Sequence, residues 1–482
     1  MMDFRPVLLI VGALLAVLAF AMCIPAIVDA AAGNPDWQVF AVSAGLTLFV
    51  GVSLTLTTSS GKVEMNVRQA FAMTTFAWLA LTIFASLPFM FSELELSFTD
   101  AFFESMSGIT TTGSTVIIGL DTAPPGILLW RGILQWLGGL GIIVMAIAVL
   151  PMMGVGGMQL FKVEAFDTGE KVLPRAAQIS AALVIIFIGL TALCAVALWL
   201  AGMNPLEAVV HAMTTIATGG FSTSDASIGH FNSWVIDVII TFGMIIGSLP
   251  FLLYLQAIRG KPWLIWRDEQ VRGFIGIIAL VAVVVSVLLS INTGMDPVSA
   301  LRYASFNVIS VITGTGYAST DYGMWGSFAA PVFFFIMFIG GCAGSTTCGI
   351  KVFRFQVLYA AARVQLRRLL QPHGVFIPYY NKRPVPDEVI TSVLSFFFVF
   401  GLSFALLALG LGMLGLDFMT AISSAATAIS NVGPALGPIT GPSGNFQSLP
   451  DAAKWLLSVG MLLGRLELFT VLVLFSRDFW RG

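Results

Sequence analysis

The chain has few charged residues, few cysteines and few histidines. Of its 482 residues only 10% are charged, and it contains four cysteines and three histidines. The cysteines lie mostly in apolar runs and show no metal-ligand spacing with the histidines, which argues against a disulfide framework or a zinc site. The sequence also lacks a GxxxxGK(S/T) stretch, so an ATP-dependent step would need another polypeptide.

Apolar residues dominate the chain and fall into long runs. Hydrophobic residues make up 57% of the sequence and the mean hydropathy is +0.94, a balance that excludes a water-soluble domain. Apolar runs of about 18 or more residues predict helices that cross a membrane. The first run follows a single basic residue, Arg5, and is too long for a signal peptide, so we expect it to be retained. The ten predicted spans are 7–29, 38–58, 70–91, 127–152, 180–202, 233–257, 273–291, 328–349, 389–415 and 454–475.

The loops between the predicted spans alternate in charge. Most of the 23 Lys and Arg residues lie in alternate loops and at the two ends, and basic residues collect on the cytoplasmic side, so both termini are expected to be cytoplasmic. The opposite loops are acidic, which either concentrates cations or serves as hydrophilic covering. The basic internal segments are 59–69, 153–179, 258–272 and 350–388.

Four similar segments, each broken by glycine, recur between the spans at intervals of about 100 residues. Each combines a short helix of about ten residues, a step rich in threonine or serine, and a glycine. The repeated unit is therefore a helix, a half-helix with a loop, and a second helix, and the first two spans stand outside the repeat. Ungapped alignment matches AFFESMSGITTTGS from Ala101, EAVVHAMTTIATGG from Glu207, ASFNVISVITGTGY from Ala304 and AISSAATAISNVGP from Ala421, which aligns Gly113, Gly219, Gly316 and Gly433.

Non-helical backbone at membrane depth is tolerated where it is buried in protein or lines a watery cavity. Four such loops therefore indicate a pore. Glycine allows consecutive carbonyl groups to point to one side and replace the hydration shell of an ion, and the negative ends of the half-helices favour a cation. The alternative is that the glycines are packing points between helices. Because all four loops have the same register, this interpretation is the weaker one.

Several separate motifs resemble one family. The stretch SVITGTGYAST, residues 310–320, is similar to the TVGYG filter of potassium channels, and four further motifs resemble the Trk/Ktr/HKT superfamily of potassium transporters, most closely its TrkH type. The resemblance implies an all-α integral membrane protein in which two N-terminal transmembrane helices precede four quasi-repeats of helix, re-entrant pore loop and helix around one central pore. The four motifs are WRGILQWLGGLGIIVMAIAVLP from Trp130, ATGGFS from Ala217, GGCAGSTTCGIK from Gly340 and GRLELFTVLVLF from Gly464.

This resemblance also implies a division of the chain and a set of partners. It implies potassium as the transported ion, no cofactor in this chain, a homodimer in the lipid of the bacterial cytoplasmic membrane, and a cytoplasmic TrkA-like ring that binds ATP, ADP or NAD. The basic segment 351–383 is where such a ring would dock, or an ordinary positive-inside loop; nucleic acid is not expected. The implied units are 1–60 (N-terminal extension), 61–153 (pore repeat 1), 154–258 (pore repeat 2), 259–350 (pore repeat 3 with an intramembrane loop), 351–388 (basic linker) and 389–482 (pore repeat 4).

The resemblance assigns residues to a selectivity filter and to a gate. Gly113 occupies the position where serine accompanies sodium transport in the plant branch, so potassium is favoured. The small-residue run in the predicted span 328–349 forms the gating loop of this family, although by composition alone a kinked helix is the simpler interpretation. The filter residues are Thr111, Thr112, Gly113, Ala217, Thr218, Gly219, Gly314, Thr315, Gly316, Asn431, Val432 and Gly433, with potassium at their carbonyls, and the gating residues are Gly340, Gly341, Gly344, Ser345, Thr346, Thr347, Gly349 and Arg465.

Three polar residues in apolar segments leave alternatives open. Arg465 near mid-membrane either raises the electrostatic barrier or helps the loop close, or it is structural, paired with Glu467 or hydrogen-bonded to loop carbonyls. Glu104 either orders the filter backbone by accepting its N–H groups or is a partly hydrated outer charge. His211 is interpreted as a packed, hydrogen-bonded residue.

The sequence favours potassium conduction over two alternatives. A secondary transporter would couple potassium to protons or sodium, but the repeats share one orientation and the spans contain no chain of carboxylates for a proton relay. A membrane enzyme lacks a plausible nucleophile, base or metal cluster. The leading prediction is therefore a channel-like potassium uptake protein, not an enzyme.

Overall fold

The computed structural model describes residues 3–59, 65–148, 156–161 and 172–481. Helices make up most of this part of the chain, and β1 (Tyr379–Tyr380) and β2 (Arg383–Pro384) form a short antiparallel hairpin. The helices up to the third repeat are α1 (Arg5–Ala32), α2 (Trp37–Thr58), α3 (Val67–Ala85), α4 (Leu87–Phe91), α5 (Phe98–Ile109), α6 (Pro125–Ala148), α7 (Val172–Leu200), α8 (Pro205–Ile216), α9 (Trp234–Gly247) and α10 (Phe251–Ile258). The later helices are α11 (Trp263–Arg267), α12 (Glu269–Thr293), α13 (Pro297–Ile312), α14 (Ala329–Ile336), α15 (Val352–Leu370), α16 (Asp387–Met413), α17 (Phe418–Ser430), α18 (Asp451–Arg465), α19 (Phe469–Leu472) and α20 (Arg477–Arg481).

The first two helices form a close pair outside the repeats. Gly12 of α1 and Gly51 of α2 face each other, and a Cβ on either would lie closer than 3.0 Å to the backbone oxygen of the other. Small residues allow two helix backbones to approach in this way where the solvent is lipid. The pair also contacts α3 and α6 through α1, which attaches it to the first repeat.

The inner helices of the second, third and fourth repeats are broken. Among the described residues, seven helices are long and apolar enough to cross a membrane, and the count rises to nine if two bent pairs are each one span. The bends are 94° between α9 and α10 and 109° between α18 and Phe469–Phe475. The predicted span 328–349 is helical only over α14, because the chain is non-helical from the end of α14 to Lys351. The interruption at the small-residue run is therefore present, and the alternative of a kinked helix is wrong. Residues 149–152 of the predicted span 127–152 lie outside the described residues.

Each quasi-repeat contains an outer helix, a short pore helix and an inner helix. The pore helices, α5, α8, α13 and α17, have 12, 12, 16 and 13 residues, which corresponds to about 18 to 24 Å. A hydrocarbon core is about 30 Å thick, so these helices cross only part of it. They are buried along most of their length, whereas the outer helices expose apolar side chains as lipid-facing helices do.

Each pore helix begins at a residue whose side chain accepts an N–H of its first turn. These caps satisfy a helix end that would otherwise be left unpaired. At two of them a carboxylate faces the positive end of the helix, and hydrogen bonds from Ser299 and from Thr420 hold the pKa of Asp296 and of Asp417 below the ordinary value. The four capping residues are Ser97, Asn204, Asp296 and Asp417.

Candidate ion-conducting site

All four pore helices enter their loops through the same two backbone hydrogen bonds. We define three consecutive filter positions in each loop. The residue at the first position donates its N–H to the carbonyl of the residue three positions earlier, and the residue at the middle position donates its N–H to the carbonyl of the residue five positions earlier. The residue at the last position is a glycine. The first positions are Thr111, Thr218, Gly314 and Asn431, with bonds of 3.0, 3.0, 3.1 and 3.3 Å. The middle positions are Thr112, Gly219, Thr315 and Val432, with bonds of 2.8, 2.8, 2.9 and 3.1 Å. The last positions are Gly113, Gly220, Gly316 and Gly433.

Backbone angles follow the same fourfold pattern. The first positions have left-handed φ values of 53°, 50°, 70° and 53° in chain order. The last positions have φ values of 89°, 78°, 81° and 111°. L-residues with a side chain rarely adopt the conformation of the last position, which is why glycine stands there in every loop.

This pattern corrects the alignment of the second loop by one residue. Gly220, with a φ of 78°, is the equivalent of Gly113, whereas Gly219 occupies the middle position. The filter triplet of this loop is therefore Thr218, Gly219 and Gly220, and Ala217 is the C-cap of the pore helix. The other three filter triplets keep the predicted register.

The last glycine of each loop packs against the middle carbonyl of the next repeat. A Cβ at Gly113, Gly220, Gly316 or Gly433 would lie closer than 3.0 Å to that oxygen. Following these contacts from repeat to repeat returns to the first, so the four loops enclose one axis. The successive contacts are Gly113 to the oxygen of Gly219, Gly220 to that of Thr315, Gly316 to that of Val432, and Gly433 to that of Thr112.

The middle carbonyls differ in one respect that matters for ion binding. Among the described residues, the carbonyls of Thr112, Thr315 and Val432 accept no hydrogen bond. The carbonyl of Gly219 accepts one from Nε2 of Gln135, at 2.6 Å. Carbonyl oxygens with free lone pairs can take the place of the water around a cation. The ring therefore has three free oxygens and one that is hydrogen-bonded.

Adjacent loops are joined by different side chains. Asn431 donates to Oγ1 of Thr112 at 2.8 Å, and Ser114 donates to the carbonyl of Gly433 at 2.7 Å, both between the fourth and first loops. The hydroxyl of Tyr317 bonds to that of Thr214, between the third and second repeats. The fourfold backbone is thus supported by an asymmetric set of side chains.

Glu104 is buried behind the first loop. Its carboxylate accepts the N–H of Val116 at 2.9 Å and forms an ion pair with Nε of Arg131 at 2.8 Å. The interpretation as a partly hydrated outer charge is therefore wrong, and Glu104 does accept a backbone N–H beyond the filter. In the third repeat the aligned Asn307 accepts the N–H of Ser319 in the same way, at 3.3 Å.

His211 supports the second loop from its own pore helix. Its ring is fully buried, with Nδ1 2.8 Å from the carbonyl of Glu207 and Nε2 3.0 Å from the hydroxyl of Ser222. The structure confirms that His211 is a packed residue with both ring nitrogens hydrogen-bonded.

The non-helical segment 337–351 crosses beneath the second loop. The N–H groups of Cys342 and Thr346 donate to the carbonyls of Ser248 and Gly247, at 3.0 and 3.2 Å, where α9 breaks. The hydroxyl of Thr346 lies 3.0 Å from that of Thr218. Positive φ values at Gly340, Gly344 and Gly349 let the backbone reverse within the protein. The segment is thus attached both to the inner helix and to the filter loop.

Arg465 is buried at the end of α18 and contacts this segment. It donates to the carbonyl of Thr346 at 3.0 Å and to Sγ of Cys348 at 2.8 Å, and its other terminal nitrogen donates to the carbonyl of Gly138 at 2.8 Å. Hydrogen bonds to loop carbonyls are therefore present. The alternative ion pair with Glu467 is wrong.

Glu467 instead pairs with two cations at the start of α15. Its carboxylate lies 2.8 Å from Nζ of Lys351 and forms a short contact with Arg354. All three side chains are buried. Arg354 also donates to the carbonyls of Gly156 and Ile350, both at 2.8 Å. The triad fixes the break in the last helix to the end of the segment 337–351.

A cavity of about 230 Å³ opens above the filter, and the last glycines of all four loops line it. Asp225 is at its edge, where its carboxylate accepts the N–H groups of Gly119 and Leu120 at 2.9 and 3.1 Å. Residues 441–446, in the loop of the fourth repeat, also line the cavity. It provides a hydrophilic mouth on the side that the charge pattern predicts to be external.

Comparison with known proteins identifies the family. The sequence profile of the TrkH family, described as a cation transport protein, matches residues 37–481. The chain belongs to the TrkH family. It is 47% identical over 481 residues to the Trk system potassium uptake protein TrkI of Halomonas elongata, covering 99% of this chain and 97% of that one. It is 39% identical over 485 residues to TrkH of Escherichia coli strain K12, covering both chains completely.

A solved TrkH structure has the same fold. The crystal structure of the potassium transporter TrkH from Vibrio parahaemolyticus matches with a TM-score of 0.93 and 38% identity, over 100% of both chains. The predicted all-α membrane fold and the TrkH-type resemblance are therefore confirmed. The chain is a multi-pass membrane protein, and because the TrkH family is a transport family, the prediction that it is not an enzyme is confirmed as well.

Two supporting residues of this TrkH-family chain were missed in the sequence analysis. Arg131 and Gln135 stand one helical turn apart in α6, and both are buried. Arg131 donates to the carbonyl of Ser222 at 2.7 Å, and Gln135 contacts the same loop. Polar side chains inside an apolar span are a recognised sign of function, and that signal was present in WRGILQW.

Proposed function

We propose that the chain conducts potassium through the ring formed by its four filter loops. The observation that carries this proposal is the closed set of contacts between each last glycine and the next middle carbonyl. Such a ring supplies oxygens to a cation without a charged ligand. The names of the relatives, potassium uptake proteins, support potassium as the ion.

The segment 337–351 acts as the gate in this proposal. It lies directly beneath the second filter loop and is anchored by hydrogen bonds to the inner helix of repeat 2 and to Arg465. These bonds join the segment to several separate elements and none of them is an internal bond of a helix, so the segment can move without unfolding a helix. The proposed gating residues remain Gly340, Gly341, Gly344, Ser345, Thr346, Thr347, Gly349 and Arg465.

The setting of this activity is the bacterial cytoplasmic membrane, with both termini in the cytoplasm. A homodimer and a cytoplasmic TrkA-like ring that binds ATP, ADP or NAD complete the proposal. Helix α15 begins where the gate segment ends, and its later turns carry exposed arginines on which such a ring could act. These docking residues are Arg363, Arg367 and Arg368.

Cation flux through the purified chain tests this function. In potassium-loaded liposomes without a partner, potassium and rubidium should pass in preference to sodium and lithium. Gly113→Ser should lose that preference, because the added Cβ would clash with the carbonyl of Gly219, at a position where φ is 89°. Equal potassium and sodium fluxes in the unaltered protein would contradict the proposal, and uphill movement of a second ion would favour a symporter.

Loosening the gate should raise the potassium flux. Arg465→Met removes a charged donor from the carbonyls of Thr346 and Gly138, and hydrogen bonds to charged groups contribute about 1.5 to 3 kcal/mol. We expect about a tenfold higher flux in liposomes without partner. Arg477→Met, which removes an exposed arginine after the last span, is the matched control. A flux that stays the same or falls in folded Arg465→Met would show that Arg465 does not hold the gate.

A further inference from the structure

Side chains of the first repeat support the filter loop of the second. Gln135 belongs to α6, yet its Nε2 donates to the carbonyl of Gly219 at 2.6 Å and its Oε1 accepts the N–H of Phe221 at 3.0 Å. The N–H of Phe221 requires an acceptor, which fixes the orientation of the amide. Arg131 lies over the ring of Phe221 at 4.1 Å. Together the two side chains contact Gly219, Phe221 and Ser222 of the loop.

The second loop differs from the others at its middle position. The other loops carry Thr112, Thr315 and Val432 there, and each has a side chain to pack behind the filter. Gly219 has none. A Cβ on Gly219 would lie closer than 3.0 Å to the amide group of Gln135. The Gln135 amide therefore occupies the space where the missing side chain would stand.

A pair of consecutive glycines gives this loop more conformational freedom than the first and fourth loops, whose filter positions contain one glycine each. Gly219 and Gly220 both lose more backbone entropy on ordering than any other residue would. The two hydrogen bonds of Gln135 hold the carbonyl before Gly220 and the N–H after it. Because they lie in a fully buried site, neither bond has water as a ready substitute.

We infer that Gln135 is a positioning residue for ion selectivity, which fixes the Gly219 carbonyl and so completes the ring that distinguishes potassium from sodium. This inference rests on the proposed function. A filter discriminates between ions when its oxygens keep the spacing that suits the larger one. If the loop is released, the Gly219 oxygen can move toward a smaller ion. Discrimination then falls, although the other three loops still bind a cation.

Ion binding to the detergent-purified full chain gives a test that does not depend on the gate. Because a bound ion stabilises the folded state, the melting temperature titrated with potassium or sodium chloride gives a half-saturating concentration for each ion. Gln135→Met keeps the length of the side chain and removes both hydrogen bonds. In this variant, the half-saturating sodium concentration divided by the half-saturating potassium concentration should be about fivefold lower than in the unaltered chain.

Two further variants complete the design. Trp136→Phe removes the neighbouring hydrogen bond from α6 to Thr191, at 3.1 Å, without touching the loop, and should leave the ratio unchanged. Gln135→Glu keeps an acceptor for Phe221 but places a carboxylate beside the Gly219 carbonyl. It should also lower the ratio, and it carries the test if Gln135→Met does not fold.

The possible results separate this inference from the proposed function. A lowered ratio in a folded Gln135 variant, with Trp136→Phe unchanged, supports the inference. An unaltered chain that prefers potassium, together with folded Gln135 variants that keep the same ratio, overturns the inference alone. An unaltered chain that melts at the same temperature in potassium and in sodium overturns the proposed function and the inference with it.

Discussion

Replacing Gly316 by alanine is expected to abolish potassium flux, whereas the same replacement at Gly260 should leave it almost intact. Both glycines have a left-handed backbone conformation, with φ values of 81° and 88°. Alanine therefore adds a similar backbone strain of about 1 to 2 kcal/mol at each position. The surroundings differ. A Cβ at Gly316 would overlap the carbonyl of Val432 in the next loop, while a Cβ at Gly260 meets nothing within 4 Å.

The Gly316 clash involves backbone atoms, so no side chain can turn aside to relieve it. The fourth loop must shift, and the ring of oxygens opens on that side. Initial rates of rubidium uptake into liposomes measure the effect, with gel filtration to show that both variants fold. If Gly316→Ala conducts as Gly260→Ala does, the close contacts between the loops do not form the conducting filter.

Glu467→Gln is expected to destabilise the protein by about 3 to 5 kcal/mol. The single carboxylate balances both Lys351 and Arg354 in a buried site. Removing it leaves two buried cations without a counter-charge, and burying an unpaired charge is costly. Because Lys351 ends the gate segment and Arg354 lies in the first turn of α15, the loss should also loosen the gate.

The melting temperature of the detergent-purified chain measures this loss, and Asp451→Asn is the control. Asp451 lies 4.0 Å from Lys454, and 70% of its side chain is exposed. Exposed pairs contribute at most about 1 kcal/mol, so the control should melt close to the unaltered chain. If Glu467→Gln melts at the same temperature as the control, Lys351 and Arg354 have found other partners.

The four pore helices and the glycine loops that follow them could be predicted because their signal is local. A short apolar helix, a hydroxyl-bearing step and a glycine are all visible within 14 residues of sequence, and they recur four times. The second loop was misplaced by one residue for an equally local reason. Gly219 and Gly220 are adjacent, and only the backbone angles show which of them is left-handed.

Pairings between distant residues could not be predicted. Glu467 has Arg465 two positions away, and sequence proximity favoured that pair, but the helix break turns Glu467 toward Lys351 and Arg354. The break over 337–351 had a signal in its small and hydroxyl-bearing residues, which have poor helix propensity, but composition alone did not show whether the stretch forms a kinked helix or a loop. Gln135 was visible in the sequence as a polar residue inside an apolar span, but nothing in the sequence indicated that it contacts Gly219 of another repeat.

The capped pore helices have a consequence for charge balance. All four begin at side-chain caps and end at the filter, so their negative ends meet there. Each contributes the equivalent of about half an elementary charge, or about two charges for the ring. Two monovalent cations can thus be neutralised by peptide dipoles alone. Because carbonyl groups do not titrate at physiological pH, the occupancy of the ring should stay constant where a ring of carboxylates would lose its charge in acid.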